Sequence, residues 1–143
     1  MTHHLRQAIY NTLHQNNKYY FFCKPWTNSI PQHELSHFQT ITSRSVFALA
    51  PRGYGRSSFR LYEAMQLGAI PVYVFDAKWC PFENELDWSK FCVLIDADKI
   101  GEIDTILSAY SSERIKEMQD HLQQYWSENF TMDAVYRKVL NSI

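Results

Sequence analysis

Residues 45–75 read SVFALAPRGYGRSSFRLYEAMQLGAIPVYVF, and this stretch decides the fold. Ser45-Val46-Phe47-Ala48-Leu49-Ala50 is an apolar run of strand length, stopped by Pro51. Runs that are apolar on both faces belong to buried, usually parallel, strands. Residues 52–56 form a loop with two glycines, and Ser57 or Ser58 is a natural N-cap for a helix over Phe59–Leu67. Gly68 is a natural helix terminator. Ala69–Phe75 is a second buried strand, with Pro71 tolerated near its beginning. The order is strand, helix, strand.

Working outward, residues 2–16 place Leu5, Ile9 and Leu13 on one helical face. Tyr19–Cys23, aromatic-rich and between an Asn-Asn breaker and Pro25, reads as a short strand. Residues 24–32 are a loop, and a short helix is expected over 32–42. Beyond the central stretch, Phe91–Ile95 is a third apolar strand. Residues 99–109, 111–127 and 131–142 read as helices, burying Leu107, Ile115, Met118, Leu122, Tyr125 and Leu140. Strands alternating with helices at this spacing mean βαβ units. The expectation is one α/β, Rossmann-like, three-layer domain over residues 1–143, with a mainly parallel sheet and a helical C-terminus. Ligands of such sheets sit beyond the carboxyl ends of the strands, here Pro51–Ser58 and Asp76–Phe82.

Composition narrows the class. With 143 residues, 45% hydrophobic and 20% charged, the chain suits one globular domain and not a disordered one. No run approaches 18 apolar residues, so no transmembrane segment is expected. The first residues lack the apolar core of a secretory signal, which leads to a cytoplasmic expectation. Cys23, Cys80 and Cys92 fit neither a disulfide framework nor a paired zinc motif, and Cys92 within its strand reads as core.

The net charge of −1 conceals an asymmetry. Residues 1–62 carry seven basic side chains against one acid, giving +6; residues 63–143 carry seven against fourteen, giving −7. Four of the seven arginines fall between positions 44 and 60. The first part is therefore expected to face an anion.

The anion is expected at the loop. Gly53 and Gly55 allow positive φ and close approach to a ligand. The next helix offers unpaired N–H groups and the positive end of its dipole, where phosphate binds readily. Arg56 before that helix and Arg60 inside it are each misplaced by about 0.3–1 kcal/mol against the dipole. A polyanion reverses the cost, because guanidinium forks match phosphate oxygens. Glu63, one turn in, is placed to accept hydrogen bonds from ribose hydroxyls. The pattern is neither a P-loop nor a complete G-x-G-x-x-G, so spacing alone argues weakly for a dinucleotide. The cluster at a strand–helix junction favours a nucleotide diphosphate over a merely solvated basic loop.

Residues 45–72, together with Pro81-Phe82, Asp87-Trp88 and Phe91-Cys92-Val93, resemble the signature of the exostosin family of glycosyltransferases. The resemblance runs over about residues 35–130. It implies the C-terminal, donor-binding half of a GT-B inverting transferase that uses a UDP-sugar without an essential metal or other cofactor. It also implies that Arg52 and Arg60 clamp the diphosphate and that Gly53 and Gly55 let the loop close. Ser57 and Ser58 would reach phosphate oxygens, within a donor set of Arg52, Gly53, Tyr54, Gly55, Arg56, Ser57, Ser58 and Arg60. Glu63 would bind ribose or sugar hydroxyls, and Trp79 or Tyr54 would stack on the base. A saccharide or other hydroxyl compound is the implied acceptor. The family's acceptor-side domain would precede this segment, so a partner chain supplying it, or self-association, is expected. No residue is assigned as the general base.

Three other readings compete. A non-catalytic nucleotide-binding module would use the same loop. His33-Glu34-Leu35-Ser36-His37 matches H-E-x-x-H, which on a helix sets His33 and His37 on one face for zinc, with Glu34 to activate water. Thr40 and Ser43 stand where the extended motif wants Gly and His, and a third ligand would have to be distant, such as Glu63. The blander expectation is the polar face of a short helix. Nucleic-acid binding would suit the +6 segment, but its aromatics fall in a strand-like core run, so no nucleic-acid partner is expected. Glu83, Glu85 and Asp87 read as a solvated acidic loop able to hold a cation.

Overall fold

The structure is a computed structural model and describes residues 3–22 and 29–141. In chain order its main elements are α1 (His4–Leu13), α2 (Gln32–Ser43), β1 (Phe47–Leu49), α3 (Phe59–Gln66) and β2 (Ile70–Phe75). They continue with β3 (Val93–Asp96), α4 (Ile103–Ser108), α5 (Ser112–Tyr125) and α6 (Met132–Asn141). The three strands pair in parallel in the order β1-β2-β3. Phe47 lies opposite Ile70, and Val72 lies opposite Val93.

The pleat sends alternate side chains to opposite faces, and each face carries its own core. Ile70, Val72 and Val74 of β2, with Val93 and Ile95 of β3, pack with Leu5, Ile9 and Leu13 of α1 and Ile103 and Leu107 of α4. On the other face Tyr73 and Cys92 pack with Leu61 and Met65 of α3, Trp88 and Phe91. The helix α5 closes the layers by sending Met118 to the first core and Leu122 to the second. Each fully buried aliphatic contributes about 1.5–3 kcal/mol relative to exposure, so two such cores hold the three layers together. The expected α/β, Rossmann-like class stands.

The central strand–helix–strand unit forms as its sequence dictates. Gly68 takes φ 79°, and the N–H groups of Gly68 and Ala69 donate to the carbonyls of Met65 and Ala64 at 3.1 and 3.0 Å. These two bonds are a Schellman ending for α3. Pairing between β1 and β2 runs past the strand ends: Ala50 N–H donates to Val72 O at 2.8 Å and Arg52 N–H to Val74 O at 2.9 Å. That register carries Arg52 to the carboxyl end of β2.

Other expectations are corrected. Residues 19–22 form no strand, and Cys23 lies outside the described residues. Tyr19 and Phe21 pack on the first core while Tyr20 and Phe22 are exposed, so alternation persists without a ladder. The strand β1 is half-buried, because it forms the edge of the sheet and only β2 is covered on both faces. The helix expected over 99–109 is a 3₁₀ turn, Ala97–Glu102, running into α4. A π-turn over Trp126–Phe130 separates α5 from α6. Leu140 is 52% exposed rather than buried, on the same side of α6 as exposed Met132 and Tyr136. No described helix is long and apolar enough to cross a membrane.

Candidate functional site

The carboxyl edge of the sheet gathers the cationic residues. Arg52 emerges from β1 with its side chain 17% exposed, and Asp76 follows directly from β2. The two form a forked ion pair: Arg52 Nε donates to one carboxylate oxygen of Asp76 and Nη2 to the other at 2.8 Å. Arg52 Nη1 also donates to the carbonyls of Gly53 and Tyr54, at 3.2 and 3.4 Å. The guanidinium thus braces the loop that follows it. In return, its hydrogen bonds hold the Asp76 carboxyl down at about 2, while the same bonds raise the arginine's own pKa.

The loop itself is closed from below. Tyr73, whose ring is buried in β2, donates its hydroxyl to the Arg56 carbonyl. Burial pushes that hydroxyl up to about 12. Gly53 N–H reaches the Ser57 carbonyl at 3.4 Å. Neither Gly53 nor Gly55 adopts the positive φ expected of them; among the described glycines only Gly68 does. Space is the property they retain, since a Cβ built on either meets nothing within 4 Å. The loop surface is open to a ligand, and Tyr54 above it is 75% exposed.

Ser58 occupies the N-cap of α3 as expected, but its side chain makes no capping bond. Its hydroxyl is buried without a partner, in a residue 4% exposed. A buried polar group left unbonded costs about 1–3 kcal/mol, so the strand–helix junction holds an unused hydrogen-bonding group beside the free amides of the first turn. No acid stands in that turn.

Arg60 leaves the first turn of α3 towards α2. Its guanidinium lies over the Phe38 ring, 4.1 Å from the centroid, and pairs with Glu63 at 3.1 Å. Burial lowers the Arg60 pKa; Glu63 opposes that and nearby Arg6 adds to it. Arg56, by contrast, is exposed and makes no ion pair among the described residues. Trp79 is exposed beyond β2, and its backbone hydrogen-bonds the Tyr73 hydroxyl that holds the loop at Arg56.

The sequence reading missed a second wall of this site. The helix α1 begins there, with His3 at its N-cap accepting from Leu5 N–H through Nδ1 at 3.3 Å. The His3 ring meets Tyr54 edge-on at 5.7 Å, and the His4 Nε2 lies 3.5 Å from Asp76. Burial depresses the His3 pKa, and His4 and Arg52 depress it further. Arg6 acts electrostatically on both His3 and Arg60. Arginines from three segments, two imidazoles and two helix N-termini therefore share one edge, with Asp76 and Glu63 as counter-charges. Only the local run of cations was visible in the sequence; Arg6, His3, His4 and Asp76 join it through the register of the sheet.

The H-E-x-x-H residues are elsewhere. His33 and His37 are exposed on α2, and His37 Nε2 is 2.7 Å from the Tyr20 hydroxyl. Among the described residues no group of three or more His, Cys, Asp or Glu is placed to hold a metal ion. The acidic loop lines an open cavity of about 510 Å³ with Lys78 and Trp88, without forming such a group.

Comparison with known proteins identifies the family. Residues 1–110 match the family described as the Exostosin GT47 domain. Exostosin-1 of Drosophila melanogaster is 31% identical over 99 residues, 69% of this chain and 13% of that protein. "Probable glucuronosyltransferase GUT1" of Oryza sativa subsp. japonica is 33% identical over 92 residues, 64% of this chain and 22% of its own length. "Probable beta-1,4-xylosyltransferase IRX10" of Arabidopsis thaliana is 32% identical over 87 residues, 61% of this chain and 21% of that protein. The chain spans less than a quarter of these curated relatives. A parallel α/β sheet, an arginine–glycine loop at its carboxyl edge and a family match over residues 1–110 lead to one conclusion: the chain belongs to the exostosin GT47 family of glycosyltransferases.

Proposed function

We propose that the carboxyl edge of the sheet seats the diphosphate of a UDP-sugar, and that the chain forms the donor-binding part of an inverting glycosyltransferase. One observation carries the reading: Arg52, braced by Asp76 at the carboxyl end of the strands, and Arg60, in the first turn of α3, flank a strand–helix junction whose Ser58 hydroxyl is buried without a partner. Diphosphate recognition by arginine forks and helix amides fits that arrangement without a metal.

In this reading Arg52 is held ready by Asp76, and Arg60 is held by Phe38 and Glu63. Both meet phosphate oxygens, together with Arg56 and the amides of Ser57 and Ser58. Glu63 keeps one carboxylate oxygen for ribose or sugar hydroxyls while Arg60 holds the other. Tyr54, exposed over the loop, is placed to cover the donor. As the acceptor oxygen attacks the anomeric carbon, the bond to the diphosphate breaks and its electron pair goes to the leaving phosphate. Preorganised cations and N–H groups stabilise that charge, the largest contribution a donor site makes to such a transfer. The relatives named as glucuronosyl- and xylosyltransferases support the substrate class, and a saccharide hydroxyl is the proposed acceptor.

Isothermal titration with UDP tests the reading. The protein is expected to bind, and Arg60→Ala to weaken binding at least tenfold, the scale of a charge-assisted pair. Unchanged affinity in a folded Arg60→Ala protein contradicts the phosphate assignment.

A further inference from the structure

We infer that Tyr73 is a positioning residue of the donor site: its buried hydroxyl turns the Arg56–Ser57 peptide so that the Ser57 N–H faces the proposed ligand. This rests on the diphosphate reading above and adds to it a residue of the central strand, beneath the ligand surface. The rest of β2 is Ile70, Pro71, Val72, Val74 and Phe75, and Tyr73 alone carries a polar side-chain atom. Its ring is fully buried among Leu61, Met65, Phe91 and Cys92, where an apolar side chain would pack as well. A buried hydroxyl is costly unless bonded, and this one is bonded twice.

Both bonds go to backbone groups of the loops that leave the carboxyl edge of the sheet. The Trp79 N–H donates to the hydroxyl oxygen, and the hydroxyl donates to the Arg56 carbonyl. The loop after β2 thus occupies the oxygen, and its proton is directed to the loop after β1.

The geometry of the peptide unit sets the consequence. In a trans peptide the C=O and the following N–H point in opposite directions, and no described peptide is cis. An Arg56 carbonyl drawn onto Tyr73 therefore sends the Ser57 N–H away from the core. Neighbouring carbonyls are also engaged by protein donors: those of Gly53 and Tyr54 accept from Arg52 Nη1, and that of Ser57 accepts from the Gly53 N–H. The Ser57 and Ser58 N–H groups make no hydrogen bond among the described residues. They precede the first turn of α3, beside the unbonded Ser58 hydroxyl. A loop whose carbonyls are taken by internal donors turns its N–H groups outward, the arrangement that receives an anion. Arg52 sets the first half of this loop and Tyr73 the second.

Tyr73→Phe keeps the ring and removes only the oxygen. Isothermal titration compares UDP affinity of wild type and variant, and ¹H–¹⁵N spectra follow the Ser57 amide of each at saturating UDP. An amide proton that bonds a phosphate oxygen moves downfield, and in wild type the Ser57 proton is expected to do so. Tyr73→Phe is expected to bind UDP about fivefold more weakly and to show about half of that shift or less. Unchanged spectra over β3 and α5 establish that the variant is folded. The shift is read at saturation, so a general loss of affinity does not reduce it and a turned peptide does. Equal affinity, or a full downfield shift in Tyr73→Phe, overturns the inference and leaves the diphosphate reading standing on Arg52 and Arg60. So does a Ser57 amide that stays in place in wild type saturated with UDP, a result that needs no variant. Absence of UDP binding by the wild type overturns both.

Discussion

Asp76 is the residue on which the loop's order depends. It anchors Arg52, which in turn braces the Gly53 and Tyr54 carbonyls. The Arg52 fork lowers its carboxyl from an ordinary 3.8 to about 2, so the ionised form is favoured by folding. The sign follows from linkage. A depressed folded-state pKa contributes stability in full above the unfolded value, and the contribution is lost as pH falls from about 4 towards 2. Asp76→Asn removes it. Denaturant unfolding of the two proteins is expected to differ most at neutral pH, with the gap closing as pH drops through that window. A gap that stays constant down to pH 2 would show that the ion pair is not its source.

At the scale of elements, α3 shows how local sequence secures the site. The helix is fixed at its C-terminal end by the Gly68 Schellman bonds and along its length by buried Leu61 and Met65, which leaves its N-terminus open for the proposed ligand. Gly68 sits at φ 79° with empty space where a Cβ would go, so substitution there brings conformational strain without a clash. Gly68→Ala is expected to lower unfolding free energy by about 1 kcal/mol with no change in ligand affinity. Chemical denaturation beside a UDP titration checks both halves. This element was legible in sequence because its cap, its apolar face and its terminator are consecutive. Tyr19–Phe22 was not, since an aromatic alternation states which side chains turn inward and not whether a neighbouring strand is present to pair. Nor could an apolar run alone tell edge strand β1 from central β2, because that depends on the order in which strands assemble.

For the whole molecule, the charge asymmetry takes on a spatial meaning. The +6 carried by residues 1–62 is partly concentrated at one edge, where Arg6, Arg52, Arg56 and Arg60 surround the start of α3 or lie beside it. Half of that site was readable, because residues 51–60 hold loop, helix start and arginines in one contiguous run. The rest is separated along the chain: His4 and Asp76 meet only when α1 packs across the sheet and β2 ends beside β1. Cations scattered between positions 4 and 60 raise the expectation of an anion, and the fold decides which of them share an edge. The central claim is that a nucleotide diphosphate occupies this edge. Amide chemical shifts of ¹⁵N-labelled protein titrated with UDP test it most directly. The account predicts saturable shifts concentrated in residues 52–60 and the first turn of α1, with the acidic loop at 83–87 unaffected. Shifts confined to that loop or to α2, or none at millimolar UDP, would contradict it.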